Sequence, residues 1–340
     1  MSDKMELRVA CVGAGYFSQF HIDSWSRMER ATLVGICDRS VKKARSLGKP
    51  AFAELVEMID QTKPDVLDVV VPPMAQAEVL RVAFASGAKA IVCQKPFCRS
   101  LSEAKQLCAE SEDAGVRLIV HDNFRFQPWY RFIKSEIAQG HVGVLQNMSM
   151  RLRPGDGQGT NAYLDRQPYF QKMERFLIHE TGVHWIDTFR FLAGDPIAVY
   201  ADLRRLNPAI AGEDAGFVIF DHAGDVQSLF DGNRHLGHQA ENQRITMGEA
   251  HFEGSDGVLD LSGDGSVWFR AMGSLERRRI FQTDTSKGFA GDCVHALNTH
   301  VVAGLIDGTP LENEANDYLK VLEIEEAIYR SAAEGRKIRL

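Results

Sequence analysis

Short apolar runs alternate with longer amphipathic stretches over roughly the first 120 residues. Leu7–Val12, Thr32–Asp38, Asp65–Val71, Lys89–Cys93 and Val116–Val120 are dense in Val, Ile and Leu and predict strands. Between them, the stretch carrying Phe20, Trp25 and Met28, then Val41–Leu47, Phe52–Asp60, Ala75–Ser86 and Ser102–Ala114, predict helices. Gly87 and Gly115 stop the last two. Strands that are apolar throughout are buried on both faces, which is the habit of a parallel sheet. The alternation therefore predicts an α/β fold, a doubly wound parallel Rossmann-type sheet over about residues 5–122, in a first domain of residues 1–123.

The texture changes after Phe124-Arg125-Phe126-Gln127-Pro128-Trp129. A helix over Tyr130–Ile137 is followed by Val144–Leu152, Ile197–Leu206, Gly216–Phe220, Val226–Phe230, Arg244–Glu253, Gly257–Leu261 and Ser266–Arg270. Several of these alternate polar and apolar residues between Gly or Asp-Gly turns. That pattern predicts an α+β domain over 124–340 with a large, mainly antiparallel open sheet, covered on one face. Two amphipathic helices, Asp292–Ile306 and Glu314–Ala333, close the chain as packing elements. A non-repetitive segment, 153–170, interrupts the strands and reads either as a substrate-covering loop or as a surface or oligomer-contact loop.

Length agrees with two domains, since single cores stop growing at about 250 to 300 residues and the chain has 340. A net charge of -7 argues against nucleic acid or an anionic membrane as partner. The polar start and the lack of an apolar run of about 20 residues give no export signal or membrane span, so a cytoplasmic protein is expected. Cys11, Cys37, Cys93, Cys98, Cys108 and Cys293 show no CxxC spacing and are expected to be reduced and mostly buried.

The candidate chemistry begins where the first strand runs into Gly13-Ala14-Gly15-Tyr16-Phe17-Ser18. Gly13 permits a sharp turn, and Gly15 leaves room for a pyrophosphate beside the following helix N-terminus. Ser18 takes the place of a third glycine and is small enough for helix–strand packing. Asp38 ends the second strand about 20 residues later, where a carboxylate can accept hydrogen bonds from an adenosine ribose. It favours NAD because it would repel a 2′-phosphate; Arg39 is the feature that pulls toward NADP. Lys95 lies just past the carboxyl end of a strand, where ligands of such sheets bind.

His179-Glu180-Thr181-Gly182-Val183-His184 opens a predicted helix running to about Leu192. Its HExxxH spacing sets the two histidines about 140° apart around an α-helix, so they do not share a metal and no metal site is expected. Glu180 and His184, by contrast, are spaced i, i+4 and share a helical face.

GAGYFSQFH at 13–21, PDVLDVVVPP at 64–73, QKP at 94–96, HDNFRFQP at 121–128 and HETGVHWID at 179–187 together resemble the Gfo/Idh/MocA family of NAD(P)-dependent sugar oxidoreductases. The resemblance implies cofactor contacts from Gly13, Gly15, Tyr16, Phe17, Asp38, Arg39, Pro72, Pro73, Gln76, Gln94 and Lys95. It implies Lys95, His184 and Glu180 as catalytic residues. The substrate would be lined by these three with Phe17, Arg125, Arg153, Arg166 and His179, and the open sheet would form a homodimer or homotetramer. Three departures stand out: Gln94 where the family usually has glutamate, Gln76 where it often has histidine, and Glu180 in place of a usual aspartate.

A histidine with its ordinary pKa of about 6.5 suits the removal of a hydroxyl proton, and a lysine suits the stabilisation of the oxygen left behind. The expected reaction is hydride transfer from a sugar to NAD. The 153–170 loop and the runs CQKPF and HDNFRFQPWY look like those of family members that oxidise the branched pentose D-apiose at its anomeric carbon to a lactone. Another aldose, an inositol-type cyclic polyol, or a non-catalytic dinucleotide sensor are the alternatives.

Overall fold

The computed structural model describes residues 6–284, 286 and 288–340. It divides into two compact units. One runs to Asn123 and takes up Val294–Leu322; the other comprises Phe124–Cys293 and Glu323–Leu340.

The first unit holds β1 (Leu7–Val12), α1 (Ser18–Ser26), β2 (Ala31–Cys37), α2 (Val41–Arg45), β3 (Ala51–Phe52), α3 (Leu55–Thr62), β4 (Val66–Val69), α4 (Pro73–Phe84), β5 (Ala90–Gln94), α5 (Leu101–Asp113) and β6 (Arg117–His121). Its six strands run in the order β3-β2-β1-β4-β5-β6, all parallel. The order reverses between β1 and β4, the topological switch point of a doubly wound sheet. Local chemistry sets the helix ends. Pro73 sits in the first turn of α4, where its missing N–H is no loss. Ser100 caps α5 by accepting from the Glu103 amide at 3.2 Å, while the Glu103 carboxylate reaches back to the Arg99 amide at 2.9 Å.

The expected helix over Phe52–Asp60 starts later, because Phe52 pairs with Cys37 as part of β3. Two residues are too few to show a period in the sequence. The expected run 124–340 is also interrupted, since Val294–Leu322 clusters with the first unit. Polar ties explain the return. The Asn298 amide donates to Ser24 Oγ at 2.9 Å, Arg30 pairs with Asp307, and Asp122 accepts from Asn313 on its carbonyl and from the Tyr318 hydroxyl on its carboxylate.

The second unit carries α6 (Pro128–Ala138), β7 (Leu145–Leu152), α7 (Val183–Ala193), β8 (Pro196–Arg204), β9 (Ala215–His222), β10 (Gln227–Asn233), β11 (Gly248–Gly254), β12 (Gly257–Leu261), β13 (Val267–Ala271) and β14 (Arg278–Phe281). Two closing helices follow, α8 (Cys293–Asp307) and α9 (Ala315–Glu334), and then β15 (Ile338–Arg339). The sheet order is β14-β13-β12-β11-β7-β10-β9-β8-β15, antiparallel throughout except for the parallel pair β7 and β10. The mainly antiparallel sheet is as expected. The strand expected from Arg244 begins only at Gly248, and β14 and β15 are additions.

Helices cover one face of this sheet. The Tyr130 hydroxyl on α6 reaches Met150 Sδ on β7 and accepts from Trp185 on α7, and Trp185 lies on Phe230 of β10 with centroids 5.4 Å apart. Burial of such aromatics contributes about 2 kcal/mol each or more, which anchors α7 and with it His184. All six cysteines are buried and free. No described helix is long and apolar enough to cross a membrane.

Candidate active site

The glycine turn is dictated by space. Gly13 has φ +110°, and a Cβ there would stand 2.2 Å from the Val70 carbonyl oxygen, so only glycine fits between β1 and β4. Above Gly15 a Cβ would meet nothing within 4 Å, which leaves the backbone open to an incoming group. Ser18 is fully buried and its hydroxyl accepts from the Gly15 amide at 3.2 Å, so this serine both packs α1 and shapes the turn. Asp38 is half-buried and accepts from the Ala14 amide at 2.8 Å on one oxygen and from the Ser40 amide at 2.7 Å on the other. Each oxygen keeps a lone pair for a ribose hydroxyl. The open glycine backbone beside an anchored carboxylate fits a dinucleotide. Tyr16 and Phe17 both pack on Phe20, Arg39 and Pro72 are exposed, and Pro73 is half-exposed.

Lys95 is half-buried at the end of β5, and the Lys95–Pro96 peptide is cis. The turn that carries it is held from two sides. Gln76 is fully buried, and its amide donates to the carbonyls of Gln94 at 2.7 Å and Pro96 at 3.0 Å while accepting from the Cys98 amide at 2.7 Å. Gln94 accepts from the Lys95 amide at 2.8 Å and meets His21 Nε2 at 3.0 Å. Both glutamines expected among the cofactor contacts thus bond the protein itself.

In the second unit the segment expected to open as an α-helix opens instead as a π-helical turn, Leu177–Gly182, before α7 begins at Val183. Such wider turns recur at functional sites. His184 is buried against Phe124, with centroids 3.7 Å apart and planes 4° from parallel. Glu180 is buried too; it accepts from the Thr181 hydroxyl and lies 3.4 Å from an Arg234 nitrogen. His179 turns to the C-terminal helix, bonding Glu325 at 2.7 Å through Nδ1.

Arg234 went unnoticed in the sequence. It is fully buried and bonds Thr181 Oγ1 at 2.6 Å and both Asp156 oxygens at 3.2 and 2.9 Å. Its guanidinium lies over the rings of Tyr163 and Phe176. Burial works against its charge, but Asp156, Tyr163 and Glu180 outweigh it and hold the guanidinium protonated. Through Asp156 the same arginine anchors the 153–170 loop. Asn207 donates to the carbonyls of Gly157 and Gly159, and Ala162, Tyr163 and Phe170 form a small core with Phe176 and Ile210. Arg166 also bonds Asp156, Arg153 bonds Asp231, and Arg125 makes a two-pronged pair with Asp187 at 2.7 and 2.5 Å. Four of the residues expected to line substrate, Arg125, Arg153, Arg166 and His179, therefore each carry an acidic partner within the unit.

Comparison with known proteins bears on the fold and the family. Residues 7–122 match the family model described as oxidoreductase family, NAD-binding Rossmann fold, and residues 130–259 match the GFO/IDH/MocA C-terminal domain. The chain is 29% identical to a D-apiose dehydrogenase of Paraburkholderia graminis, over 97% of this chain and 89% of that protein. It is 27% identical to a D-apiose dehydrogenase of Rhizobium rhizogenes, over 98% and 97%. Among solved structures, an oxidoreductase from Agrobacterium radiobacter, in complex with NAD+, L-tartaric acid and magnesium, superposes with a TM-score of 0.88 at 26% identity over 98% of each chain. With both halves of the chain matched, the protein belongs to the Gfo/Idh/MocA family of NAD-binding oxidoreductases.

Proposed function

We propose that this NAD-dependent sugar or polyol dehydrogenase oxidises D-apiose at its anomeric carbon to the lactone. The observation that carries the substrate is the similarity to two D-apiose dehydrogenases over nearly the whole chain. Residues to 123 carry the cofactor in this reading, through Gly13, Gly15 and Asp38; residues 124–340 bind substrate and form a homodimer or homotetramer through the open sheet, a state that light scattering would read.

Bound NAD supplies the hydride acceptor. His184 takes the hydroxyl proton as the anomeric C–H leaves with its electron pair, and the carbon–oxygen bond becomes the lactone carbonyl. Stacking on Phe124 holds the imidazole plane during that transfer. The Lys95 ammonium stabilises negative charge on the oxygen, and its turn is fixed by Gln76 and Gln94. Glu180, held by Thr181 and Arg234, accepts a hydrogen bond from a sugar hydroxyl.

Incubating the protein with NAD and a panel of aldoses and cyclic polyols, and following NADH formation, tests the proposal. D-apiose should give the highest kcat/KM with the lactone as product. Turnover of another aldose with none on D-apiose would overturn it.

A further inference from the structure

Gln94 does more than lengthen β5. A carboxamide has one accepting end and one donating end, and here the Lys95 amide fixes which is which by donating to Oε1 at 2.8 Å. The NH2 group is thereby turned to His21 Nε2 at 3.0 Å. Because that group can only donate, Nε2 must offer a lone pair, and the imidazole proton sits on Nδ1, where it is given to Asp68 Oδ2 at 2.8 Å. Trp25 donates to the same oxygen at 2.6 Å. We propose that Gln94 is a positioning residue for Lys95: one amide locks His21 in its Nδ1-protonated, neutral form and ties down the Lys95 backbone without placing negative charge beside the ammonium.

The surroundings favour this single arrangement. His21, Asp68 and Trp25 are essentially fully buried and Gln94 nearly so. Asp68 from β4, Gln94 from β5 and His121 from β6 face the His21 ring, with Phe17, just before α1, packed on it. Burial pushes His121 down to about 3, so it is neutral. Burial raises Asp68, but the hydrogen bonds from His21 and Trp25 bring it below the usual carboxylate range, so it is charged. Cys11 and Cys93, near Asp68, are held as thiols by burial. A second proton on His21 would require Gln94 to rotate and set its NH2 against the Lys95 N–H, breaking a buried bond.

The consequence for Lys95 rests on its proposed role, whereas the tautomer does not, so the two fail separately. The test is a long-range 1H–15N spectrum of the full chain with 15N-labelled histidine, His21 being assigned by the signal lost in His21→Asn. At about pH 8, above the ordinary histidine value, the wild type should show protonated Nδ1 and bare Nε2. In Gln94→Glu the carboxylate accepts from both sides, and both nitrogens should carry protons. Kinetics supply the second readout: Gln94→Leu, which loses both the bond to the Lys95 amide and the donor to His21, should lower kcat on the oxidised sugar about tenfold, with KM for NAD unchanged. A wild-type spectrum with protonated Nε2 would overturn the inference without any variant having to fold. An unaltered His21 pattern in Gln94→Glu, or an unaltered kcat, would do so as well.

Discussion

His184 lies flat on Phe124, with ring planes 4° apart and centroids separated by 3.7 Å. Stacking of this kind restricts an imidazole to rotation within its own plane and shields one face from water, while Trp185 closes the Phe124 edge at 5.2 Å. An imidazole so held presents its nitrogens along a fixed direction. Phe124→Leu should preserve folding and NADH binding yet lower kcat on the order of tenfold to a hundredfold, the loss that follows from misplacing a reacting group by about 1 Å. Steady-state rates beside NADH fluorescence titration check this, and an unchanged kcat would show that the stacking carries no catalytic weight.

Arg234 serves two acids, Asp156 in the loop and Glu180 in the π-helical turn. Arg234→Met should leave both carboxylates without their buried cation and cost about 3 to 5 kcal/mol of stability, the range for breaking a buried pair from one side. Arg234→Lys should recover only part, because an ammonium lacks the planar fork that reaches both partners. Urea unfolding measures the first effect. KM for the sugar measures the second, since an unheld Glu180 loses its orientation.

The glycine turn separates two uses of the same residue type. Gly13→Ala forces a Cβ to 2.2 Å from the Val70 oxygen at φ +110°, so it should lose at least about 2 kcal/mol of stability. Gly15→Ala meets nothing within 4 Å. It should melt like the wild type and bind NAD on the order of tenfold more weakly. A thermal melt and a titration on each variant tell the two apart.

The architecture was largely legible in the sequence because burial on both faces leaves short runs dense in apolar residues, and β1, β2, β4, β5 and β6 all have them. Strands of two residues, β3 and β15, leave no such trace. The proposed reactive groups, Lys95, Glu180 and His184, stood out by type and motif. What holds them did not. Arg234 meets Asp156 and Thr181 from 78 and 53 residues away, and no local spacing announces a partner chosen by the fold. Gln76 read as a ligand contact from its place after Pro72-Pro73, yet its polar atoms bond the backbone from Gln94 to Cys98. The π-helical turn was equally hidden, since Leu177–Gly182 has the residues of an ordinary helix start.

His121 predicts an acid sensitivity with a definite sign. Its folded value of about 3 lies below the ordinary histidine value, so between the two the unfolded chain holds the extra proton. Stability should therefore be full above about pH 6.5 and fall as the pH drops toward 3, by about 2 kcal/mol between pH 7 and pH 5 from this group. Urea midpoints at the two pH values measure the loss, and His121→Phe should flatten it. An equal slope in that variant would assign the acid sensitivity elsewhere.

The return of Val294–Leu322 to the first unit means the polypeptide passes from one unit to the other three times, after Asn123, Cys293 and Leu322. No single scission yields either half intact. A fragment ending at Asn123 would leave Ser24 without Asn298, and Asp122 without Asn313 and Tyr318. Grafting this nucleotide module onto another protein would thus require two excised segments joined by a new linker. Shuffling of such modules by simple end-to-end fusion is closed to this chain.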